Sequence, residues 1–192
     1  TSAGRMLRVH VGDLPACGAQ FESSVAVSLD KFLGLPRGES VVGVIELNES
    51  DYLLATKRGQ IKRVAADYPA KDSFEVISLK DDDSVVAASP VSDSDEIVIV
   101  TSDAQLLRFK ADTVRAQGRA ASGVAGINLS AGAQVIFASA VSTTDETLVL
   151  TAANSTAAIP GTDPGSAKLS AITEFPPKGR ATGGVRAQRF IR

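Results

Sequence analysis

The sequence repeats itself, and the repeat limits the possible folds more than any other feature. Leu35, Leu79 and Leu129 each precede a Val-Val or Val-Ile pair by six residues and an aspartate by sixteen. An apolar run ending in threonine follows, as YLLAT, EIVIVT and ETLVLT, with leucine-to-threonine spacings of 21, 22 and 22 residues. Such a period indicates that one small unit is copied along the chain, so we expect an array of similar modules.

Each repeat threonine precedes a turn between two apolar runs. The residues three positions after Thr1, Thr56, Thr101 and Thr151 are Gly4, Gly59, Ala104 and Asn154. Glycine and asparagine tolerate the left-handed backbone of a tight hairpin, so three copies predict a hairpin and Ala104 weakens the prediction in its own copy. An arginine recurs in the returning run of three copies, at Arg8, Arg63 and Arg108. The pattern therefore predicts repeated hairpins that carry a regular column of arginines.

A second block is shared by two copies. GRAASGVAGINL, from Gly118 to Leu129, aligns with GRATGGVRAQRF, from Gly179 to Phe190. The alignment places Arg119 on Arg180. Only the ends of this block, FLGL and VISL, survive in the two earlier copies.

The repeat is roughly 45 to 55 residues long and consists of apolar runs of four to seven residues between Gly, Asp, Ser and Pro turns. This pattern is typical of β-strands, at about four per unit. Four-stranded units packed radially hide the sheet edges that would otherwise aggregate. The sequence therefore predicts an all-β, propeller-like array of four-stranded blades within one domain, residues 1–192, with approximate units 1–34, 35–78, 79–128 and 129–192.

Composition excludes several classes of function. The net charge is −2 and the pI is about 5.5, so the chain is not uniformly basic, although acids dominate 65–103 and the cations of 178–192 have no acid among them. One histidine, His10, and one cysteine, Cys17, are too few for a catalytic triad or a zinc cluster. No run approaches the ~20 apolar residues of a membrane helix, and no phosphate-binding loop is present. We expect a cytoplasmic, non-catalytic chain with no metal, no cofactor and no membrane partner.

Several motifs in repeated register resemble one known family. They are the Thr-X-X-Gly hairpin with its basic pair (Thr56, Gly59, Lys62, Arg63), the strand from Gly123 to Leu129, the leucine-to-aspartate spacing, and FPPKGRATGGVRA from Phe175 to Ala187. Together they cover essentially the whole chain, and they resemble the C-terminal β-pinwheel domain of the A subunit of bacterial type II DNA topoisomerases, DNA gyrase and topoisomerase IV. The resemblance implies a bent ring of blades, of which we expect this chain to hold about four, with both ends cut.

The resemblance also implies a function. In that family duplex DNA wraps around a basic outer edge, while catalysis belongs to two expected protein partners, the N-terminal cleavage core of the A subunit together with the ATPase B subunit. The predicted DNA contacts are Lys57, Arg58, Lys62, Arg63, Arg108, Lys110, Arg119, Lys178 and Arg180. Gyrase carries a box close to Gln-Arg-Arg-Gly-Gly-Lys-Gly, and QGRAASG is the nearest stretch here, keeping Gln117, Arg119 and Gly123. This degenerate box leaves gyrase and topoisomerase IV character both open.

A second class of function competes with DNA binding. A propeller-like scaffold could bind protein partners through acidic loops such as the stretch from Asp81 to Glu96, and the overall acidity favours that alternative. A single arginine at a sheet edge also discourages aggregation without binding anything. The recurring arginine column and the family resemblance favour DNA.

Overall fold

The computed structural model describes residues 1–15, 27–48, 50–144, 146–153 and 165–189. Cys17, Asp145, Asn154 and Phe190, which the sequence analysis used, lie outside the described residues. The strands are β1 Arg5–Leu7, β2 Tyr52–Thr56, β3 Gln60–Val64, β4 Ser73–Glu75, β5 Val85–Pro90, β6 Glu96–Thr101, β7 Gln105–Lys110, β8 Ala116–Gln117, β9 Val124–Ala125, β10 Val135–Val141, β11 Leu148–Ala153, β12 Ser166–Ala171 and β13 Val185–Arg186.

Helix is scarce in the described part of the chain. It comprises the single turn α1, Leu29–Phe32, and the 3-10 turns Val11–Asp13, Ala111–Thr113 and Ile172–Glu174. Within the described ranges, no helix has the length and apolar character to cross a bilayer. The predicted all-β fold is confirmed.

The strands of the described residues form four sheets, which are the blades. The first sheet pairs β1 with β4, and the fourth pairs β11 with β12. The second has the order β5-β2-β3-β8, with β9 also on β3, and the third has the order β10-β6-β7-β13. All pairs are antiparallel except β3 with β8. Two of the predicted hairpins, β2-β3 and β6-β7, therefore form the centres of sheets. The tight turn predicted at Asn154 lies outside the described residues, and the fourth sheet pairs β11 with β12.

The first three blades each include strands from later repeats. The hairpin β2-β3 receives β5 on one side and β8 and β9 on the other, and β6-β7 receives β10 and β13 in the same way. Strand β4 takes the corresponding place beside β1. Because one sheet contains strands from two repeats, consecutive repeats are linked by the hydrogen bonds between those strands as well as by side-chain packing.

The repeat threonines fix the hairpin turns. Thr56 and Thr101 are buried, and each Oγ1 accepts a hydrogen bond from the backbone N–H four residues later, at 3.2 and 3.1 Å. The turn residues Gly4, Gly59 and Ala104 all have positive φ, at 74°, 84° and 59°. The hairpin predicted with least support, at Ala104, therefore forms with the same left-handed backbone as its glycine counterparts.

Neighbouring blades meet through β5 and β10, which we call the inner strands. The Ala140 N–H in β10 donates to Ser89 Oγ in β5 at 3.1 Å, and the Val135 N–H donates to the Lys57 carbonyl at 2.9 Å. A buried apolar cluster fills the space between the second and third sheets: Leu53, Ala55, Ile61, Val91, Ile97, Ile99, Leu107, Phe109, Ala111, Val114, Ile127, Val135 and Ala138. At the opposite edge of the first three sheets lie the outer strands β4, β8, β9 and β13.

Candidate nucleic-acid interface

The regular arginine column forms ion pairs inside the blades. Arg63 Nε donates to Asp51 Oδ2 at 2.7 Å and its Nη1 donates to Asp93 Oδ1 at 2.5 Å. Arg108 Nη1 donates to Glu96 Oε2 at 2.6 Å. The arginine side chains are only 13% and 12% exposed. Arg63 and Arg108 are therefore already paired with carboxylates within the described structure.

This pairing follows the repeat. Asp51 and Glu96 both lie five residues before a repeat threonine, and each stands diagonally opposite the arginine of its own hairpin. Burial acts against the charge of Arg63, but the hydrogen bonds to Asp93 and Asp51 outweigh it and raise the pKa of the guanidinium above its ordinary value. Arg8 also bonds inward, because its Nη2 donates to the Pro69 carbonyl at 2.9 Å.

Lys62, a predicted DNA contact, is fully buried, with 0% exposure. Its Nζ donates to three backbone carbonyls, of Val76 at 2.8 Å and of Arg119 and Ala121 at 2.7 Å each. Burial lowers the pKa of Lys62 to about 8. An ammonium with no access to solvent and all three donors in use cannot reach a phosphate, so Lys62 is corrected from a DNA contact to an internal cation.

Two equivalent loops lie at the outer edge of the second and third blades, and each forms a hydrogen bond with the preceding blade. We call 118–123 and 179–184 the outer-edge loops; they lead into the outer strands β9 and β13. The Ser78 N–H donates to the Ala121 carbonyl at 3.3 Å, and the Asn128 N–H donates to the Thr182 carbonyl at 3.0 Å. The aligned sequence blocks therefore make the same connection to the preceding blade.

The last glycine of each outer-edge loop is required by close packing. A Cβ on Gly123, whose φ is 86°, would lie 2.5 Å from the Ile61 carbonyl oxygen. A Cβ on Gly184 would lie 2.6 Å from the Leu106 carbonyl oxygen. No other residue fits where the loop meets the hairpin strand.

Arg119 and Arg180 occupy the same place in the two outer-edge loops. The Arg119 guanidinium lies 5.7 Å from the centroid of the Phe74 ring, and its Nε lies 3.6 Å from the Asp67 carboxylate, in a pair whose side chains are 36% and 74% exposed. Arg180 Nη1 donates to the Ala125 carbonyl at 2.6 Å. Both arginines are thus held at the edge of successive blades with contacts that leave part of each side chain open to solvent.

Four more predicted contacts are exposed. Lys57 and Arg58 lie in the β2-β3 turn, where Arg58 is 56% exposed and 3.9 Å from Asp82. Lys110 ends β7. Lys178 precedes the second outer-edge loop, and its N–H donates to the Arg108 carbonyl, which places it beside β7. Lys178 therefore joins Arg180 on the third blade, and Lys57 and Arg58 lie at the hairpin turn of the second.

The residues of the degenerate box follow one another along the outer edge. Gln117 ends β8, where it pairs with Val64, and its Oε1 is buried with no hydrogen-bond partner among the described residues. Arg119 lies in the loop and Gly123 closes it. The role of Gly123 is therefore steric.

Sequence reasoning missed two structural roles that the repeat could have indicated. Lys62 stands six residues after its threonine, and the same position holds Leu7 and Leu107, so a lysine there was an anomaly in an apolar column. Counting from the threonine, rather than from the leucine, would have aligned Asp51 with Glu96 and indicated the partners of the arginine column.

Solved structures with the same fold were found. Over the whole chain, a C-terminal domain of DNA topoisomerase IV superposes with a TM-score of 0.80 at 22% identity, covering 58% of that structure. A DNA gyrase A C-terminal domain superposes over 73% of this chain and 44% of that structure, with a TM-score of 0.61 and 22% identity. At these identities the likeness concerns the fold, and it confirms the predicted propeller-like array.

The proteins related to this chain in sequence are several times longer than the chain itself. The A subunit of DNA gyrase from Klebsiella oxytoca is 30% identical over 189 residues, which are 96% of this chain and 20% of the relative. The corresponding gyrase protein of Streptomyces coelicolor is 29% identical over 202 residues, covering 100% of this chain and 22% of the relative. The chain thus spans about a fifth of the length of these curated relatives. Residues 50–67, 75–92, 95–142 and 161–190 match the family described as "DNA gyrase C-terminal domain, beta-propeller". The repeat, the four blades and this match agree that the chain belongs to the DNA gyrase C-terminal domain family.

Proposed function

We propose that this domain binds duplex DNA along the outer edge of its blades and bends it. The observation that carries the proposal is the equivalent placement of Arg119 and Arg180 in two outer-edge loops that make the same hydrogen bond to the preceding blade. A row of cations repeated from blade to blade is what sequence-independent binding of a phosphate backbone requires.

The distribution of charge supports the proposal despite the net charge of −2. Asp51 and Asp93 pair with Arg63, and Glu96 pairs with Arg108, so two arginines offset most of the charge of these three carboxylates. Arg119, Arg180 and Lys178 remain at the edge. Bending a duplex costs on the order of 1 to 6 kcal/mol per 20 to 30 base pairs, which contacts from successive blades can offset by counterion release.

The proposed contact surface differs from the set predicted from sequence. It consists of Arg119, Lys178 and Arg180 at the outer edge, while Lys57, Arg58 and Lys110 are exposed elsewhere on the blades. Lys62, Arg63 and Arg108 are left out because carbonyls or carboxylates already occupy their donors. The arginine column is instead proposed to hold the blades that carry the surface.

In the intact enzyme we propose that this domain serves the A subunit of a type II topoisomerase. DNA held on the outer edge would be presented to the cleavage core of that subunit, with ATP hydrolysed by the B subunit and no cofactor bound in this chain. The chemistry of strand passage would then lie elsewhere, and this domain would influence which DNA crossing is acted on.

The experiment that tests the proposal compares two charge variants of equal net change. We expect Arg119→Gln/Arg180→Gln to weaken binding of a fluorescent 40-base-pair duplex at low salt by about two- to thirtyfold, since each of the two exposed ion pairs contributes about 0.2 to 1 kcal/mol. Lys80→Gln/Lys168→Gln, at two exposed lysines outside both outer-edge loops, is the matched control and should weaken binding far less.

Equal effects of the two variants would show that only overall charge matters and would contradict the proposed surface. Absence of binding by the unmodified chain would favour the alternative, a scaffold that contacts protein partners through its acidic loops.

A further inference from the structure

Lys62 occupies a position where a leucine would complete the core. The corresponding residues of the neighbouring hairpins are Leu7 and Leu107, and Leu107 is buried in the cluster between the second and third blades. Placing an ammonium in such a site is unfavourable unless its donors are satisfied. Its contacts therefore indicate its role.

The Lys62 ammonium joins three separate segments. The side chain starts in β3, and Nζ bonds to Val76, which directly follows the outer strand β4 of the first blade. The other two bonds reach Arg119 and Ala121 in the first outer-edge loop. The carbonyl of Arg119 is thus fixed directly by the buried charge.

The second outer-edge loop makes the corresponding connection without a lysine. The Ala181 N–H donates to the Gly126 carbonyl at 2.8 Å, and Gly126 aligns with Val76. Ala181 adopts a left-handed backbone, with φ of 61°, whereas its counterpart Ala120 does not. The Lys62 ammonium therefore donates to the Val76 carbonyl. In the next blade a backbone N–H of the loop donates to the equivalent carbonyl of Gly126.

We propose that Lys62 is a positioning residue for DNA binding, which acts by holding the first outer-edge loop so that Arg119 aligns with Arg180 along the outer edge. This inference rests on the proposed function. It gives Lys62 an effect on DNA affinity through Arg119, with no contact between the lysine and the phosphates.

A double-mutant cycle tests the coupling. Lys62→Leu and Arg119→Gln should each weaken duplex binding by about two- to fivefold, and the double variant should lose no more than the larger single effect. The matched control is Ile61→Val, a neighbouring core truncation that costs about 0.5 to 1.5 kcal/mol of stability but keeps the Lys62 contacts. It should leave DNA affinity unchanged.

A compensating substitution distinguishes a positioning role of Lys62 from a general loss of stability. In Lys62→Leu/Ala120→Gly, the first outer-edge loop can adopt the left-handed backbone of the second loop. The backbone N–H at position 120 can then donate to the Val76 carbonyl, as the Ala181 N–H does to Gly126. We expect this variant to regain most of the lost DNA affinity. Lys62→Met provides the same comparison should Lys62→Leu fold poorly.

Hydrogen exchange gives a readout that does not depend on DNA. The Ser78 N–H, which donates to Ala121, should exchange faster in Lys62→Leu and recover in the rescue variant, while the Asn128 N–H, which donates to Thr182, should not change. Altered exchange together with unaltered DNA affinity in both Lys62→Leu and Arg119→Gln would refute the proposed DNA surface while keeping the loop-holding role. Unaltered exchange, or additive effects on affinity, would overturn the positioning role itself.

Discussion

The two outer-edge loops reach the same place by different means. Both connect to the preceding blade through the same backbone hydrogen bond, both end on a glycine packed against a hairpin strand, and both carry an arginine at the second position. They differ in the donor that reaches the carbonyl directly after the preceding outer strand, which is a buried ammonium in one and a backbone N–H in the other. The repeat thus specifies the scaffold, while each copy satisfies its buried polar groups in its own way.

The largest expected effect concerns what the loops share. Gly123→Ala and Gly184→Ala should each lower the free energy of unfolding by about 3 kcal/mol or more, because the new Cβ would meet a backbone carbonyl at 2.5 or 2.6 Å. Urea denaturation measures the loss. The matched controls are Gly118→Ala and Gly179→Ala at the start of the same loops, where a Cβ finds open space or only a contact at 3.9 Å.

A small loss at either closing glycine would contradict the close packing of that loop on its hairpin. A loss at only one of them would show that the two loops are less alike than their sequences indicate.

An intermediate effect should appear in the pH dependence of the free energy of unfolding, and it concerns only the first outer-edge loop, which Lys62 contacts. The pKa of Lys62 is lowered by burial to about 8, below the ordinary value of 10.5 that applies to the unfolded chain. Above pH 8 the folded state therefore binds fewer protons than the unfolded state, and the free energy of unfolding rises with pH. Between pH 8 and pH 9 the contribution of Lys62 is on the order of 1 kcal/mol.

The pH effect is measured as the difference between the unmodified chain and Lys62→Leu, which cancels the other titrating groups. The difference should change in favour of the unmodified chain as pH rises from 8 to 9. A difference that is constant over this range would contradict the shifted pKa.

The smallest effect concerns the left-handed residue of the second loop. Ala181→Gly should raise the free energy of unfolding by about 0.5 kcal/mol, since glycine adopts a positive φ without steric cost. Ala120→Gly should instead lower it by a few tenths to 1 kcal/mol, because Ala120 has an ordinary backbone and glycine adds entropy to the unfolded chain. Thermal unfolding measures both, and the same sign in both loops would contradict the difference in backbone.

Much of the scaffold could be predicted from sequence because it depends on local chemistry. Thr56 and Thr101 form hydrogen bonds with the backbone within their own turns. The alternation of apolar runs with turn residues predicts the hairpins. The borrowing of β5, β9, β10 and β13 across repeats could not be predicted, since strand partners depend on distant packing.

The functional surface was harder to predict for a related reason. A sequence shows that Lys62, Arg63 and Arg119 are cationic, but not that the first faces three carbonyls and the second two carboxylates. Those partners lie in another blade, in a loop or across a strand pair. Regular spacing therefore identified the arginine column, although its regularity reflects ion pairing within the blades.

The most direct test of the account is the salt dependence of duplex binding by the 192-residue chain. We predict tight binding at low salt and a linear fall of log affinity with log salt concentration, with a slope that becomes shallower by about 2 in Arg119→Gln/Arg180→Gln, because each lost phosphate contact removes about 0.9. Undetectable binding at low salt, or a slope that the double variant leaves unchanged, would contradict the proposed outer-edge surface.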